Sequence, residues 1–290
     1  MKNRHTKTGA ARIILRILFV AALAVFLWSA WHLFREWKRY HDGEEEYNTL
    51  ASSARIERIS TDSSASSAVQ TPDEASSSSE SEASETSAGN IPASVPAQPE
   101  YYIDFAYLKS INSEVVGWIS IPNTRVDYPI VQTDDNEWYL RYSFNGAEEW
   151  IGCPFVDYRV SGDFHAQITP VYGHDLNNGA MFPDLKKYRE ESFCEENPYF
   201  YIFTPDRTLI YQVYCALTAE KTDGRAFLFS FTDEADFDRY LDYVNSVAYY
   251  TTDAVPDFSD RLVSLITCET DRNYRFIVNG VLIEEIAESH

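Results

Sequence analysis

Arg261-Leu-Val-Ser-Leu-Ile-Thr-Cys268, then Glu269-Thr-Asp-Arg-Asn-Tyr274, then Arg275-Phe-Ile-Val-Asn-Gly-Val-Leu-Ile-Glu-Glu-Ile286, is the stretch from which both fold and chemistry are read. Two runs rich in branched and aromatic apolar residues, Leu262–Thr267 and Arg275–Ile286, flank a short polar loop, the pattern of two paired strands. Cys268 therefore stands at a strand mouth, where a thiol can meet a substrate, and a hairpin of this length returns Arg275 beside it. Structural cysteines are usually buried small hydrophobes, and Cys153, Cys194 and Cys215 fit that description. For Cys268 the nucleophilic and the packing readings both stand on spacing alone. Arg275 is either a rim charge or a group placed to hold a developing oxyanion. Arg272 lies within the loop and reads as solvated.

Working outward, similar short runs recur at Val115–Ile121, Val126–Gln132, Ile151–Val156, Gln167–Tyr172, Tyr199–Thr204 and Thr208–Leu217. Turn chemistry separates them, with Pro205-Asp206-Arg207 closing a hairpin, so the spacing predicts a β-rich barrel or sandwich. The period changes between Asp233 and Ala248, where Phe237, Tyr240, Leu241, Val244 and Ala248 follow helical spacing behind a capping Thr232 or Asp233. Shorter helices are expected at Asp104–Ile111 and around Met181–Tyr188.

His174 lies in Val171-Tyr-Gly-His-Asp175, where a strand runs out into a turn rich in Asn and Gly. A lone loop histidine is usually a surface residue, but within the fold only His165 competes with it. A Cys–His pair supplies thiolate and general acid, and Arg supplies charge stabilisation, which together suffice for acyl transfer through a thioester. No Cys or His pair has metal-ligand spacing, and no cofactor or metal is expected.

Charge divides the 290 residues into three parts: +7 over residues 1–41, −10 over 42–100 and −18 over 101–290. An acidic head repels phosphate backbones, which excludes nucleic acid as a partner. Four cysteines exclude a disulfide-dense scaffold. Lys2, Arg4, Lys7 and Arg12 precede an apolar run from Ile13 to Phe34, about the 20 residues a bilayer requires. Trp28, Trp31, Phe34 and Trp37, with nearby bases, favour an uncleaved anchor over a signal peptide. The expected organisation is a cytoplasmic tail (1–12), a transmembrane anchor (13–34), a stalk and disordered Ser/Glu-rich linker (35–100) and an extracellular head (101–290). The stretch from Trp37 to Ile59 could continue the membrane helix as a charged stalk.

Tyr172-Gly173-His174, Gly179-Ala-Met181-Phe182, Leu185-Lys-Lys-Tyr188, Leu265-Ile-Thr267-Cys268 and Arg275-Phe-Ile-Val together resemble the sortases, membrane-anchored cysteine transpeptidases of Gram-positive surfaces. Val116-Gly-Trp118-Ile-Ser-Ile121-Pro and Asn136-Glu-Trp-Tyr-Leu140 extend the resemblance over nearly all of 101–290. A helix before the first strand and the long helix 233–248 resemble class B. The resemblance implies a mainly β fold: a closed eight-stranded sortase-type barrel with peripheral helices, preceded by one transmembrane helix and a disordered linker. Ser264 replaces the usual first Thr of the nucleophile motif conservatively, and two departures touch substrate detail: Ile266 stands where a small Ser is common, and the loop from Cys268 to Arg275 is short.

The resemblance also implies roles. Cys268 would attack the Thr carbonyl of a sorting signal, His174 would protonate the leaving amine, and Arg275 would hold substrate and oxyanion. Thr267 would help position that oxyanion, and Asn136, Leu140, Tyr172 and Glu269 would line the substrate groove. The implied partners are surface proteins bearing a C-terminal sorting signal, a peptidoglycan-precursor or pilin amine, and the membrane through residues 13–34. Thiol and imidazole would titrate as a coupled pair, giving a slow enzyme with a minor active fraction and a pH–rate profile that is not flat between about pH 5 and 10. Alternatives are a pilin-polymerising sortase, a hydrolytic cysteine peptidase and a non-enzymatic surface binding module.

Overall fold

The computed structural model describes residues 5–58 and 99–288. It begins with a 50-residue helix, α1 (His5–Ala54). Within it Leu15–Arg35, of mean hydropathy 2.1, is long and apolar enough to cross a membrane, about 30 Å at the helical rise. A short strand β1 (Arg55–Glu57) follows and pairs antiparallel with β2 (Tyr101–Ile103). Helix α2 (Phe105–Ile111) starts at Asp104, whose carboxylate accepts the Tyr107 N–H at 2.8 Å and satisfies one free donor of the first turn.

The remaining strands build a closed barrel. They are β3 (Val115–Ser120), β4 (Asp127–Val131), β5 (Phe155–Val156), β6 (Ile168–Tyr172), β7 (Tyr199–Phe203), β8 (Arg207–Glu220), β9 (Ala248–Thr251), β10 (Leu262–Cys268) and β11 (Tyr274–Ala287). Hydrogen bonding runs β11-β10-β6-β5-β4-β3-β7-β8, and β8 pairs back to β11, which closes an eight-stranded ring and leaves no edge within it. Strand β9 adds to the outside of that ring on β8. Two pairings are parallel, β4 with β5 and β6 with β10; the others are antiparallel.

Apolar residues fill two volumes. The barrel interior holds Trp118, Phe144, Phe164, Phe182, Phe200 and Phe276, all buried. A second layer lies under α4 (Glu234–Val247), which buries Phe237, Tyr240, Leu241 and Val244 against Ile168, Leu217, Leu262 and Ile277. That is the helical stripe expected from sequence, and Asp233 caps it by accepting the Asp236 N–H at 2.9 Å. Two local expectations change. Of Ile151–Val156 only Phe155–Val156 pairs as strand, and Met181–Tyr188 becomes a 3₁₀ turn at Pro183–Arg189 before the short helix α3 (Glu191–Glu196).

The division at residue 101 also changes. The helix that holds the apolar segment runs on to Ala54, and residues 43–58 pack on the barrel. Gly43, Tyr47, Leu50 and Ala54, spaced along one face of α1, are buried against the barrel. Backbone and charge then pin the junction: the Asp104 N–H donates to Ala54, the Arg55 guanidinium pairs with Asp127 and lies over the Tyr101 ring, and Arg58 pairs with Glu288 at 2.6 Å. Arg58 N–H also donates to Glu100 at 2.7 Å, so the two ends of the Ser/Glu-rich segment meet side by side. That segment therefore connects two paired strands, β1 and β2. Residues 59–98 themselves, where disorder was expected, lie outside the described residues, as do 1–4 of the N-terminal tail.

Candidate active site

The parallel pairing of β6 with β10 and the hairpin from β10 to β11 fix where the chemistry sits. Register places Ile266 opposite Tyr172, and the Gly173 N–H donates to Ile266 at 3.0 Å, so continuing both strands brings His174 alongside Cys268. On the other side of β10, Cys268 pairs directly with Arg275. Three residues separated by up to 101 positions thus occupy adjacent strand ends, at inter-strand spacings of about 5 Å. They share one cleft of about 1060 Å³, together with Asn136, Leu140, Tyr172, Thr267 and Glu269.

Cys268 is the only cysteine of the four that is not buried, and none is in a disulfide. Arg275 uses Nη1 to reach the carbonyls of Arg272 and Tyr274, each at 2.9 Å, which folds the loop around its guanidinium. His174 Nε2 lies 2.9 Å from the Leu140 carbonyl. A carbonyl only accepts, so Nε2 carries the hydrogen of the neutral ring and Nδ1 is the atom that takes up or gives away a proton. Burial pulls the His174 pKa below the ordinary 6.5; the Leu140 carbonyl opposes this, and the positive charge of Arg272 adds to it. Arg272, read from sequence as merely solvated, is exposed but acts on the histidine through its field.

The residues expected to line the groove divide by what their polar atoms do. Leu140 is 40% exposed at the rim, and its carbonyl holds the histidine. Asn136 accepts the Tyr158 N–H at 3.1 Å, and Tyr172 donates to Asp157 at 3.1 Å, an anion that also holds Arg159. Thr267 is 2% exposed, and its hydroxyl donates to the Gly173 carbonyl at 2.8 Å. It ties the histidine strand to the cysteine strand. The Glu269 carboxylate is taken up by Arg189, by Thr218 at 3.1 Å and by Lys186 at 3.7 Å. It anchors the loop after the nucleophile.

Among the cleft walls that sequence reasoning missed are Trp150, Arg159 and Phe227. Trp150 carried a signal, a large aromatic between Glu148-Glu149 and Ile151, and it is 66% exposed. Arg159 stands two residues after Asp157, which grips it through two oxygens at 2.8 and 2.6 Å, and its guanidinium faces the Phe229 ring.

Comparison with known proteins agrees with this geometry. The sortase-domain family model matches residues 119–283. Sortase B of Listeria monocytogenes is 33% identical over 182 residues, 61% of this chain and 72% of its own. Sortase B of Staphylococcus aureus is 28% identical over 183 residues, 62% and 75% of the two chains. Among solved structures, the Staphylococcus aureus sortase B–substrate complex aligns with a TM-score of 0.59 at 27% identity, over 62% of this chain and 85% of that one. A sortase B complexed with triglycine aligns with a TM-score of 0.59 at 26% identity, over 62% and 86%. Clostridium perfringens sortase B aligns with a TM-score of 0.58 at 28% identity, over 62% and 99%. With a family match over more than half of its length and an eight-stranded barrel of the same kind, the chain belongs to the sortases, cysteine transpeptidases, and is class B-like.

Proposed function

We propose that this sortase is held in the membrane by α1, with its head on the outer side, and that it transfers surface proteins bearing a C-terminal sorting signal to an amine of a cell-wall precursor. The observation that carries the reading is the register that gathers His174, Cys268 and Arg275 at one rim of the cleft. The Cys268 thiolate adds to the Thr carbonyl carbon of the signal, and the Arg275 guanidinium faces the charge that develops on the carbonyl oxygen. Collapse breaks the C–N bond, with the His174 imidazolium giving its Nδ1 proton to the departing amine and leaving a thioester on Cys268. The acceptor amine then attacks the thioester and gives up a proton to His174 as the thiolate leaves. Solved sortase B structures holding a substrate and holding triglycine support a peptide donor and an amine acceptor for this chain.

The test uses the full chain in detergent or lipid nanodiscs, wild type, Cys268→Ala and His174→Ala. Each is mixed with sorting-signal peptides of the NP-x-T and LP-x-T kinds and with candidate amines, and products are followed by mass. The proposal requires a thioacyl adduct on Cys268 and an amine-linked product, both lost in Cys268→Ala. Hydrolysis alone in abundant amine would make the protein a peptidase. Cleavage that survives in His174→Ala would remove the histidine from the mechanism.

A further inference from the structure

The segment 138–153 contributes Leu140 and Trp150 to the cleft that holds Cys268, and α1 packs on that segment. Tyr47, 3% exposed, donates through its hydroxyl to the Gly152 carbonyl at 2.5 Å and accepts the Phe144 N–H at 3.1 Å. Its ring stands edge-on to Tyr128, with centroids 5.4 Å apart. The residue just before it, Glu46, accepts from the Ser143 hydroxyl and the Asn145 N–H, at 3.1 and 3.2 Å. Gly43 lies against Glu149 and Ile151. The helix thus grips the segment along most of its length.

The same segment touches His174 on its other face at two places. Leu140 supplies the carbonyl that holds Nε2. Gly152 packs so closely on the imidazole that a Cβ there would fall 2.9 Å from Cδ2 and 3.2 Å from Nε2. The two places are joined within the segment, because the Cys153 N–H donates to the Tyr139 carbonyl at 3.0 Å. One residue, Gly152, therefore receives the Tyr47 hydroxyl on its carbonyl and supports the imidazole at its Cα. The carbonyl and Cα of one residue share a rigid plane with the next peptide, so a shift at one is passed to the other.

Resting on His174 as the acid–base group of the proposed function, we infer that Tyr47 is a positioning residue for His174: the membrane-proximal end of α1 sets the imidazole through Gly152 and Leu140. The helix that anchors the protein is then also part of what makes it competent. A head separated from residues 43–54 keeps its barrel but holds the histidine less firmly. Mispositioning of an acid–base group weakens the chemical steps and leaves the binding of the peptide in the groove largely intact.

The experiment compares full-length wild type, Tyr47→Phe and Arg58→Gln in nanodiscs. Arg58→Gln weakens the docked segment at its β1 end through the Glu288 pair, without touching 138–153. Transpeptidation kinetics and the imidazole ¹⁵N and Nε2–H signals of labelled His174 are measured, with thermal unfolding as the control for stability. Tyr47→Phe is expected to lower kcat about tenfold with KM within about twofold, and to shift or broaden the Nε2–H signal. Arg58→Gln is expected to lower the unfolding temperature by as much or more while leaving kcat and the imidazole signal near wild type. Wild-type kcat and an unchanged imidazole signal in Tyr47→Phe would overturn the inference. Equal loss of kcat in both variants would overturn it too, by showing that docking stability alone matters. Full activity in His174→Ala would fail the proposed function instead, and so separates the two failures.

Discussion

Asp175 and Glu269, the residues that directly follow His174 and Cys268, share one ammonium: Lys186 Nζ lies 2.6 Å from Asp175 Oδ2 and 3.7 Å from Glu269 Oε2. The 3₁₀ turn that carries Lys186 is seated by Leu185 and Tyr188, both fully buried, so the ammonium is presented from a rigid base. Arg189 at the end of the same turn pairs with Glu269 as well. A single short element therefore ties together the two chain ends from which the histidine and the cysteine project. The hydroxyl bond from Thr267 to Gly173 is the corresponding tie two residues earlier on each strand.

Lys186→Met should separate the two carboxylates electrostatically while keeping the aliphatic stem. The pair is only partly buried, so the stability cost is about 1 kcal/mol. The cost in rate should be larger, about tenfold in kcat, because it comes from the relative placement of His174 and Cys268. Lys186→Arg should recover most of the loss. Peptide-cleavage kinetics beside thermal unfolding decide the matter; a rate loss no larger than the stability loss explains would make the bridge purely structural.

Gly152 and Gly146 both have positive φ, +62° and +82°, in the same segment, and they should behave differently when changed to Ala. A Cβ at Gly152 would meet the Tyr139 carbonyl at 2.5 Å and His174 Cδ2 at 2.9 Å, whereas one at Gly146 meets nothing within 4 Å. Gly146→Ala should cost only the left-handed backbone penalty, about 1 kcal/mol, with activity unchanged. Gly152→Ala should pay that penalty and also push the imidazole aside, with kcat falling by about tenfold or more. Similar kinetics for the two variants would contradict the placement of Gly152 against His174.

Much of this was legible in the chain because strands and helices announce themselves by period. Leu262–Cys268 and the stripe Phe237, Tyr240, Leu241, Val244 fold as their spacing requires. The docked face of α1 was not legible, since Gly43, Tyr47, Leu50 and Ala54 are interleaved with Glu44, Glu45 and Glu46 and read as a charged stalk. Its pairing partner also lies beyond the Ser/Glu-rich segment: Arg55–Glu57 meets Tyr101–Ile103 across more than forty residues. The family resemblance implies that Thr267 helps position an oxyanion and that Glu269 lines the groove, and both do line the cleft. What sequence does not show is that their side chains also bond to Gly173, Arg189, Lys186 and Thr218, partners that only the closed barrel brings near. Local sequence shows where a side chain leaves the backbone, but not which distant group claims it.

Alkylation should find one thiol. Cys153, Cys194 and Cys215 are buried, and burial raises all three thiol pKa values, that of Cys215 to about 12. The thiolate is the reactive form, so these three are protected twice, by access and by protonation. Brief treatment of the native protein with iodoacetamide, followed by peptide mapping, should modify Cys268 alone and abolish transpeptidation in proportion. Modification of Cys153 or Cys215 at a comparable rate would mean that the barrel opens readily.

The acid side of the pH–rate profile should report His174, and the direction of its shift can be worked out. In the proposed mechanism the reacting form holds a His174 imidazolium beside the Cys268 thiolate, a form depleted when both groups are protonated. Since burial, aided by Arg272, holds the histidine below 6.5, the rate should stay on its plateau as pH falls through 6.5 and decline only below it. Arg272→Gln removes a charge that disfavours the imidazolium, so the acid limb should move up toward 6.5. The limb's position, not the height of the plateau, is the measure, because Arg272 also lines the cleft. Stability follows the same linkage: the neutral histidine favoured in the fold contributes fully above its unfolded pKa of about 6.5, and that contribution is lost as pH falls through the lower folded value. An acid limb above 6.5 in the wild type, or one that Arg272→Gln moves downward, would show that another group titrates there.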